Sequence, residues 1–136
     1  MLAYLSLGSN LGNREAHIDA ACQRINELCG TIVRRSDNFY SMPWGYTSDH
    51  EYLNICLAVE TDLTPIVLLD ATQAIEHELG RTLKNCYADR TIDIDLLRYY
   101  NKQGNEIRLQ SERLTLPHPH INERDFVLVP LAQIQS

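Results

Sequence analysis

Two aspartates one residue apart, Asp93 and Asp95, lie in the run Arg90-Thr91-Ile92-Asp93-Ile94-Asp95. In an extended strand, residues two apart point to the same side, about 6.6 Å from each other along the chain. Two carboxylates on one half-buried face repel unless positive charge sits between them. A pair of magnesium ions meets that need, because hard cations take carboxylate oxygens and keep positions open for water and phosphate. The same pattern also fits an edge strand with one wet face. The unbroken Ile92, Ile94 and Leu96 on the other face favour a central strand and strengthen the metal reading.

Basic side chains gather around that run: Arg81, Lys84, Arg90, Arg113 and Arg124, together with His118. Guanidinium groups hold phosphate oxygens in a bidentate fork. Acid, metal, phosphate and arginine together make the working set of phosphoryl transfer. Any one of these arginines alone reads as a solvated surface charge, so the clustering carries the argument. His118, between Pro117 and Pro119, is poised either to donate toward phosphate or to make a structural hydrogen bond. Gly8-Ser9-Asn10 at a strand end reads as a turn or as an anion-binding nest, with no Walker lysine to support the latter. Tyr52 and Asn54 share one face of a strand, an aromatic plane beside an amide, which suits a flat heteroaromatic ring as well as ordinary packing. Trp44 is open to either a lid or a plain loop role.

The elements that must position these groups are legible from periodicity. Leu2 to Leu7 reads as a strand ending at the Gly8 turn cluster. Arg14 to Leu28 has helical spacing through Ile18, Cys22 and Ile25, with Asn13 as N-cap and Gly30 as stop. Thr31 to Tyr40 reads as one strand, followed by a loop from Trp44 to Glu51. Tyr52 to Thr61 alternates, with Leu53, Ile55, Leu57 and Val59 on one side. Pro65 opens a second helix that Gly80 closes. A polar loop spans 81–90, Thr91 to Tyr99 is the acidic strand, and 100–116 reads as a hairpin turning at Gln103-Gly104-Asn105. Leu116-Pro117-His118-Pro119 is a rigid turn, and Asn122 to Ala132 a final helix. The order β-α-β-β-α-β predicts an α+β, ferredoxin-like sandwich: an antiparallel sheet with two helices on one face and a C-terminal hairpin and helix added.

Length and charge bound the rest. The chain has 136 residues, enough for one domain with its own core, 1–136, without staples. Its formal net charge of −6 argues against a general nucleic-acid binder. Residues 1–80 hold 4 basic and 11 acidic side chains, whereas 81–124 hold 8 basic and 6 acidic. An anionic ligand should therefore meet the second segment. No apolar run is long enough for a membrane helix, and no signal peptide is visible. Cys22, Cys29, Cys56 and Cys86 fit no disulfide or zinc spacing and read as reduced thiols of a cytoplasmic protein.

Taken together, these segments resemble the 6-hydroxymethyl-7,8-dihydropterin pyrophosphokinase family. The matching stretches are Leu7-Gly8-Ser9-Asn10-Leu11-Gly12, Phe39-Tyr40 with Pro43, Tyr52-Leu53-Asn54, Gln73 and Glu76 leading to Gly80-Arg81, Asp89 to Asp95, Arg113 to His118, and Arg124 with Phe126. They occur in family order over nearly the whole chain. The resemblance implies transfer of pyrophosphate from ATP to the hydroxymethyl group of the pterin, leaving AMP. Asp93 and Asp95 would hold two Mg2+ ions, and Arg81, Arg90, His118 and Arg124 would contact the triphosphate. Gln73, Glu76, Arg113 and Thr115 would line the nucleotide site. The pterin would lie between Tyr52 and Phe126, with Asn54 and the backbone near Met42-Pro43 reading its edge. The loops at about 43–51 and 81–90 would close over both substrates. Leu83 stands where the family carries a second arginine, and Asp89 where it carries a proline, both changes that would loosen the ATP clamp. The implied partners are small molecules, with no nucleic acid and no membrane, and the protein a monomer or weak homodimer. The alternative from the same residues is a pterin- or nucleotide-binding module without turnover.

Overall fold

The computed structural model describes residues 1–42, 50–80 and 91–135. Its elements run β1 (Leu2–Ser9), α1 (Arg14–Leu28), β2 (Thr31–Arg35), β3 (Phe39–Ser41), β4 (Tyr52–Glu60), α2 (Pro65–Glu78), β5 (Asp93–Tyr100), β6 (Leu109–Gln110), β7 (Thr115–Leu116) and, after a 3-10 turn at Ile121–Glu123, α3 (Asp125–Ile134). The main sheet is antiparallel with order β2-β4-β1-β5, and β3 extends the edge by pairing with β4. The expected ferredoxin-like sandwich is therefore present. Helices α1 and α2 cover one face, and α3 covers part of the other, making three layers.

Strand alternation sorts the two cores. Ala3, Leu5 and Leu7 of β1 and Leu53, Ile55, Leu57 and Val59 of β4 meet Ile18, Ile25, Leu68 and Ile75 of the helical layer. Tyr4, Cys56, Ala58 and Leu97 point the opposite way, against Ile121, Val127, Leu131 and Ile134. Asn13 caps α1, its side-chain oxygen accepting from Ala16 N at 3.1 Å. Gly30 admits a close crossing, since a Cβ there would stand 2.0 Å from the Glu60 carbonyl oxygen.

Four expectations need correction. The single strand expected over Thr31–Tyr40 is two strands, because the ladder breaks at Ser36: its N still donates to Cys56 O at 3.0 Å, but its Oγ accepts from Cys56 N at 2.9 Å, and Asp37 N donates to Gln133 Oε1 of α3 at 2.8 Å. The acidic strand is the outermost of its sheet rather than central. Its apolar pattern arises because both faces are covered, and its free edge is covered by other groups. Ile107 N donates to Tyr99 O and His118 N to Leu97 O, each at 2.8 Å. The chain does turn at Gln103–Asn105, bridging Tyr100 to Glu106, but a second reversal then pairs Leu109 with Leu116. Finally, the 3-10 turn delays α3 to Asp125.

Candidate functional site

Beyond the N-terminal end of α3, one end of the sheet presents a polar face. The register defines it: Gly8 lies opposite Asp93 on one side and Asn54 on the other, and Ser6 opposite Asp95 and Cys56. Asp93 and Asp95 flank Ile94, whose side chain is buried in the helical layer, so the two carboxylates share the α3-side face. The strand end expected at Leu7 extends to Ser9, and the Gly8-Ser9 backbone is paired within the sheet. The anion-nest reading of that segment is therefore set aside. Asn10 is buried and donates from Nδ2 to the His50 carbonyl at 3.1 Å.

Gly8 keeps the floor of this face low. A Cβ there would come within 3.2 Å of both Asn54 Oδ1 and Tyr52 Cδ1. Asn54, 3% exposed, spends its amide nitrogen on Phe39 O at 3.1 Å and Ser41 Oγ at 2.9 Å, so its carbonyl oxygen is turned toward Gly8. Ser41 thus fixes the polarity that Asn54 presents. Nothing in the sequence marks Ser41 for this role beyond a hydroxyl just before Met42-Pro43. Met42 itself is exposed.

On the opposite flank stands Arg124, the residue preceding α3. Its Nη1 lies 3.8 Å from Asp95 Oδ2, and its guanidinium sits 5.7 Å from the centre of the Phe126 ring. Contacts thus run from Phe126 through Arg124 to Asp95, and the strand register carries the same face on through Asp93 and Gly8 to Asn54. His118 joins from the β5 edge, after a cis Leu116–Pro117 bond. Its Nδ1 accepts from His120 N at 3.1 Å, which leaves Nε2 to carry the proton of the neutral ring. Burial, then the Arg124 and His120 charges, push its pKa down to about 4 against the opposing pull of Asp93. At neutral pH it is an uncharged donor beside the acids.

The remaining expected residues form a second group on α2 and the adjoining hairpin. Arg113 Nη2 donates to Asp70 Oδ1 at 2.5 Å and to Gln73 Oε1 at 3.2 Å. Thr115 pairs with Gln110. Glu76, one turn after Gln73, is buried, and its Oε2 accepts from Ile94 N at 2.7 Å. Pro43, Trp44, Arg81, Leu83, Asp89 and Arg90 lie outside the described residues, as do 43–49 of the first expected closing loop and all of the second, 81–90.

The donor set tests the metal reading. Among the described residues, no three His, Cys, Asp or Glu side chains gather as ligands. Two carboxylates without nitrogen or sulfur fit a hard cation that keeps water and phosphate ligands, not a closed zinc centre. Asp95 is about one-third exposed, 35% by side chain, so ligands can reach it.

A family model described as 7,8-dihydro-6-hydroxymethylpterin-pyrophosphokinase matches residues 4–136. A 2-amino-4-hydroxy-6-hydroxymethyldihydropteridine pyrophosphokinase of Porphyromonas gingivalis is 43% identical over 98% of this chain and 90% of its own length. Proteins of that name from Haemophilus influenzae and Bacillus subtilis are 42% and 38% identical, over 81% and 77% of their lengths. Among solved structures, a Plasmodium falciparum HPPK-DHPS chain superposes with a TM-score of 0.69 at 14% identity, which bears on the fold alone. That match takes in 96% of this chain and 39% of the Plasmodium one.

Proposed function

The chain belongs to the 7,8-dihydro-6-hydroxymethylpterin-pyrophosphokinase family, and from that premise we propose that the polar sheet end is where it moves pyrophosphate from ATP to hydroxymethyl-dihydropterin. In that reaction the hydroxymethyl oxygen attacks the β-phosphorus of ATP. The bond from that phosphorus to the α,β-bridging oxygen breaks, AMP leaves, and the hydroxyl proton is released.

Asp93 and Asp95 would hold two magnesium ions. Magnesium bound there would supply charge neutralisation for the triphosphate and a lower pKa for a coordinated hydroxyl. The chain's own groups do the positioning. Tyr52 and Phe126 would sandwich the pterin, and the Asn54 carbonyl, fixed by Ser41 and Phe39, would accept from its edge, beside Met42 and Pro43. Arg124 already neutralises Asp95 from one side and would grip phosphate together with Arg81 and Arg90. His118 would donate from Nε2 as a neutral group, stabilising phosphate oxygens without competing for the metals. Gln73, Arg113 and Thr115 would line the nucleotide side. Such preorganised alignment of alcohol and phosphorus carries much of the rate.

The observation that carries this reading is the register that sets Asp93 in one row with Gly8 and Asn54 and Asp95 in the adjacent row with Ser6 and Cys56, with Arg124 against Asp95. The acidic balance and the carboxylates on the sheet face support small-molecule substrates rather than nucleic acid. No helix among the described residues is long and apolar enough to cross a membrane. Buried thiols at Cys22, Cys29 and Cys56 support a reducing, cytoplasmic setting. A monomer or weak homodimer is consistent with a site built from one chain.

The test is AMP release from ATP and hydroxymethyl-dihydropterin. Activity should require a divalent cation and vanish on chelation. Asp95→Ala should lower kcat by about a thousandfold while leaving the circular dichroism spectrum intact. Turnover in the absence of divalent cations, or a near-normal Asp95→Ala enzyme, would overturn the metal assignment.

A further inference from the structure

Glu76 is 3% exposed, a carboxylate sealed between α2 and β5, on the opposite face of the sheet from the two aspartates. Its Oε2 accepts from Ile94 N at 2.7 Å. Ile94 is the single residue between Asp93 and Asp95. Because β5 ends the sheet, alternate backbone N–H groups along it meet no neighbouring strand. Farther along, the edge is covered by Ile107 and His118, which donate to Tyr99 O and Leu97 O. At the acidic end, the covering group is a side chain from a helix.

We infer that Glu76 is a positioning residue: by clamping the Ile94 amide it fixes the peptide planes on which Asp93 and Asp95 stand, and so sets the spacing and aim of the two metal-binding carboxylates. The inference rests on the metal reading of the aspartates proposed above. A charge-assisted hydrogen bond to an amide in a buried setting is short and strong. Metal ligands need to be held within about 0.5 Å of their working geometry by supporting hydrogen bonds. Among the described residues, Glu76 is the group that bonds the outward-facing amide of Ile94 on this edge. The role is distinct from contact with nucleotide, because the carboxylate acts from behind the strand.

Two substitutions separate acceptor from charge. Glu76→Gln keeps an oxygen that can accept from Ile94 and removes the charge. Glu76→Leu keeps similar bulk and removes the acceptor. Binding of a non-hydrolysable ATP analogue is titrated by calorimetry against magnesium, alongside steady-state kinetics. In Glu76→Leu the magnesium concentration for half-maximal binding should rise about tenfold, equivalent to about 1.4 kcal/mol. Its kcat should fall more than its KM for ATP rises, and its metal-free analogue affinity should stay within about twofold. Glu76→Gln should restore most of the magnesium affinity.

Unchanged magnesium affinity in a folded Glu76→Leu protein overturns the inference. So does a loss of metal-free analogue affinity, which would make Glu76 a nucleotide contact, or a Gln variant as impaired as the Leu variant. If Glu76→Leu does not fold, amide hydrogen exchange decides: the Ile94 amide should be protected in both the unsubstituted and the Glu76→Gln proteins, and an Ile94 amide that exchanges freely in either would refute the clamp. Asp95→Ala tests the metal reading separately. Should that variant keep its magnesium dependence, the reading beneath this inference fails; should only the Glu76 variants behave normally, the inference alone falls.

Discussion

At the scale of single residues, the site depends on what is missing as much as on what is present. Gly8 occupies the row between Asp93 and Asn54, where any side chain would press on Asn54 and Tyr52 at 3.2 Å. Asn54 is held by two hydrogen bonds from its amide nitrogen. It cannot yield without losing the orientation that presents its carbonyl. Gly8→Ala should therefore weaken pterin binding about tenfold, some 1.4 kcal/mol, while the affinity for an ATP analogue changes by less than about twofold. Calorimetry with each ligand separates the two effects, and equal losses would contradict the division of the face. The aspartate pair, Tyr52 and Asn54 were legible in the sequence because strand alternation alone puts them on a common side. The Ser41 contact and the burial of Glu76 were not. Both depend on which neighbour a side chain meets in three dimensions, and neither residue breaks a local pattern.

At the scale of elements, local chemistry marked most boundaries. Asn13 and Gly30 bracket α1, and Pro65 and Gly80 bracket α2, because caps and turns are written in the residues themselves. The break between β2 and β3 was hidden, since Thr31 to Tyr40 has no glycine or proline to interrupt it. Its cause is tertiary: Ser36 turns its hydroxyl onto the Cys56 amide, and Gln133 of α3 takes the Asp37 amide. The prediction at this scale concerns Ser36, which is buried. Ser36→Ala strands the Cys56 N–H among apolar groups and should cost about 1–3 kcal/mol. Urea denaturation would measure it, and a loss of only a few tenths would mean that the strand closes up over the gap. The acidic strand reads as central in the sequence for a related reason: an edge covered by His118, Ile107 and Glu76 leaves the same apolar signature as a strand with two neighbours.

At the scale of the whole molecule, His118 couples the site to acid stability. The folded protein holds this ring neutral down to about pH 4, chiefly through burial. In the unfolded chain it takes up a proton near the ordinary value of about 6.5. Between these two limits the unfolded state carries the extra proton, so stability falls as pH drops through that window and is fully present above it. His118→Asn should flatten that part of the profile. Urea midpoints at neutral pH and near about pH 5 should converge for the variant relative to the unsubstituted protein, and parallel profiles would refute the coupling. The buried thiols should add nothing here, since burial pushes Cys29 up to about 11 and Cys56 up to about 12, far above the acid window, in which both stay protonated.

The pairing of β1 with β5 slips between Tyr4 and Leu5, so that Leu5 faces Leu96 while Tyr4 faces Arg98. Leu97 is the surplus residue, and it changes the phase of the strand midway. Before it, odd-numbered positions look toward α3, carrying the two acids; after it, Tyr99 looks toward the helical layer, where its hydroxyl donates to the Leu63 carbonyl. One ribbon therefore obeys two opposed alternations, one for chemistry and one for anchorage. Excising Leu97 would force a choice between them, sending either the acids into oil or the tyrosine out of its socket.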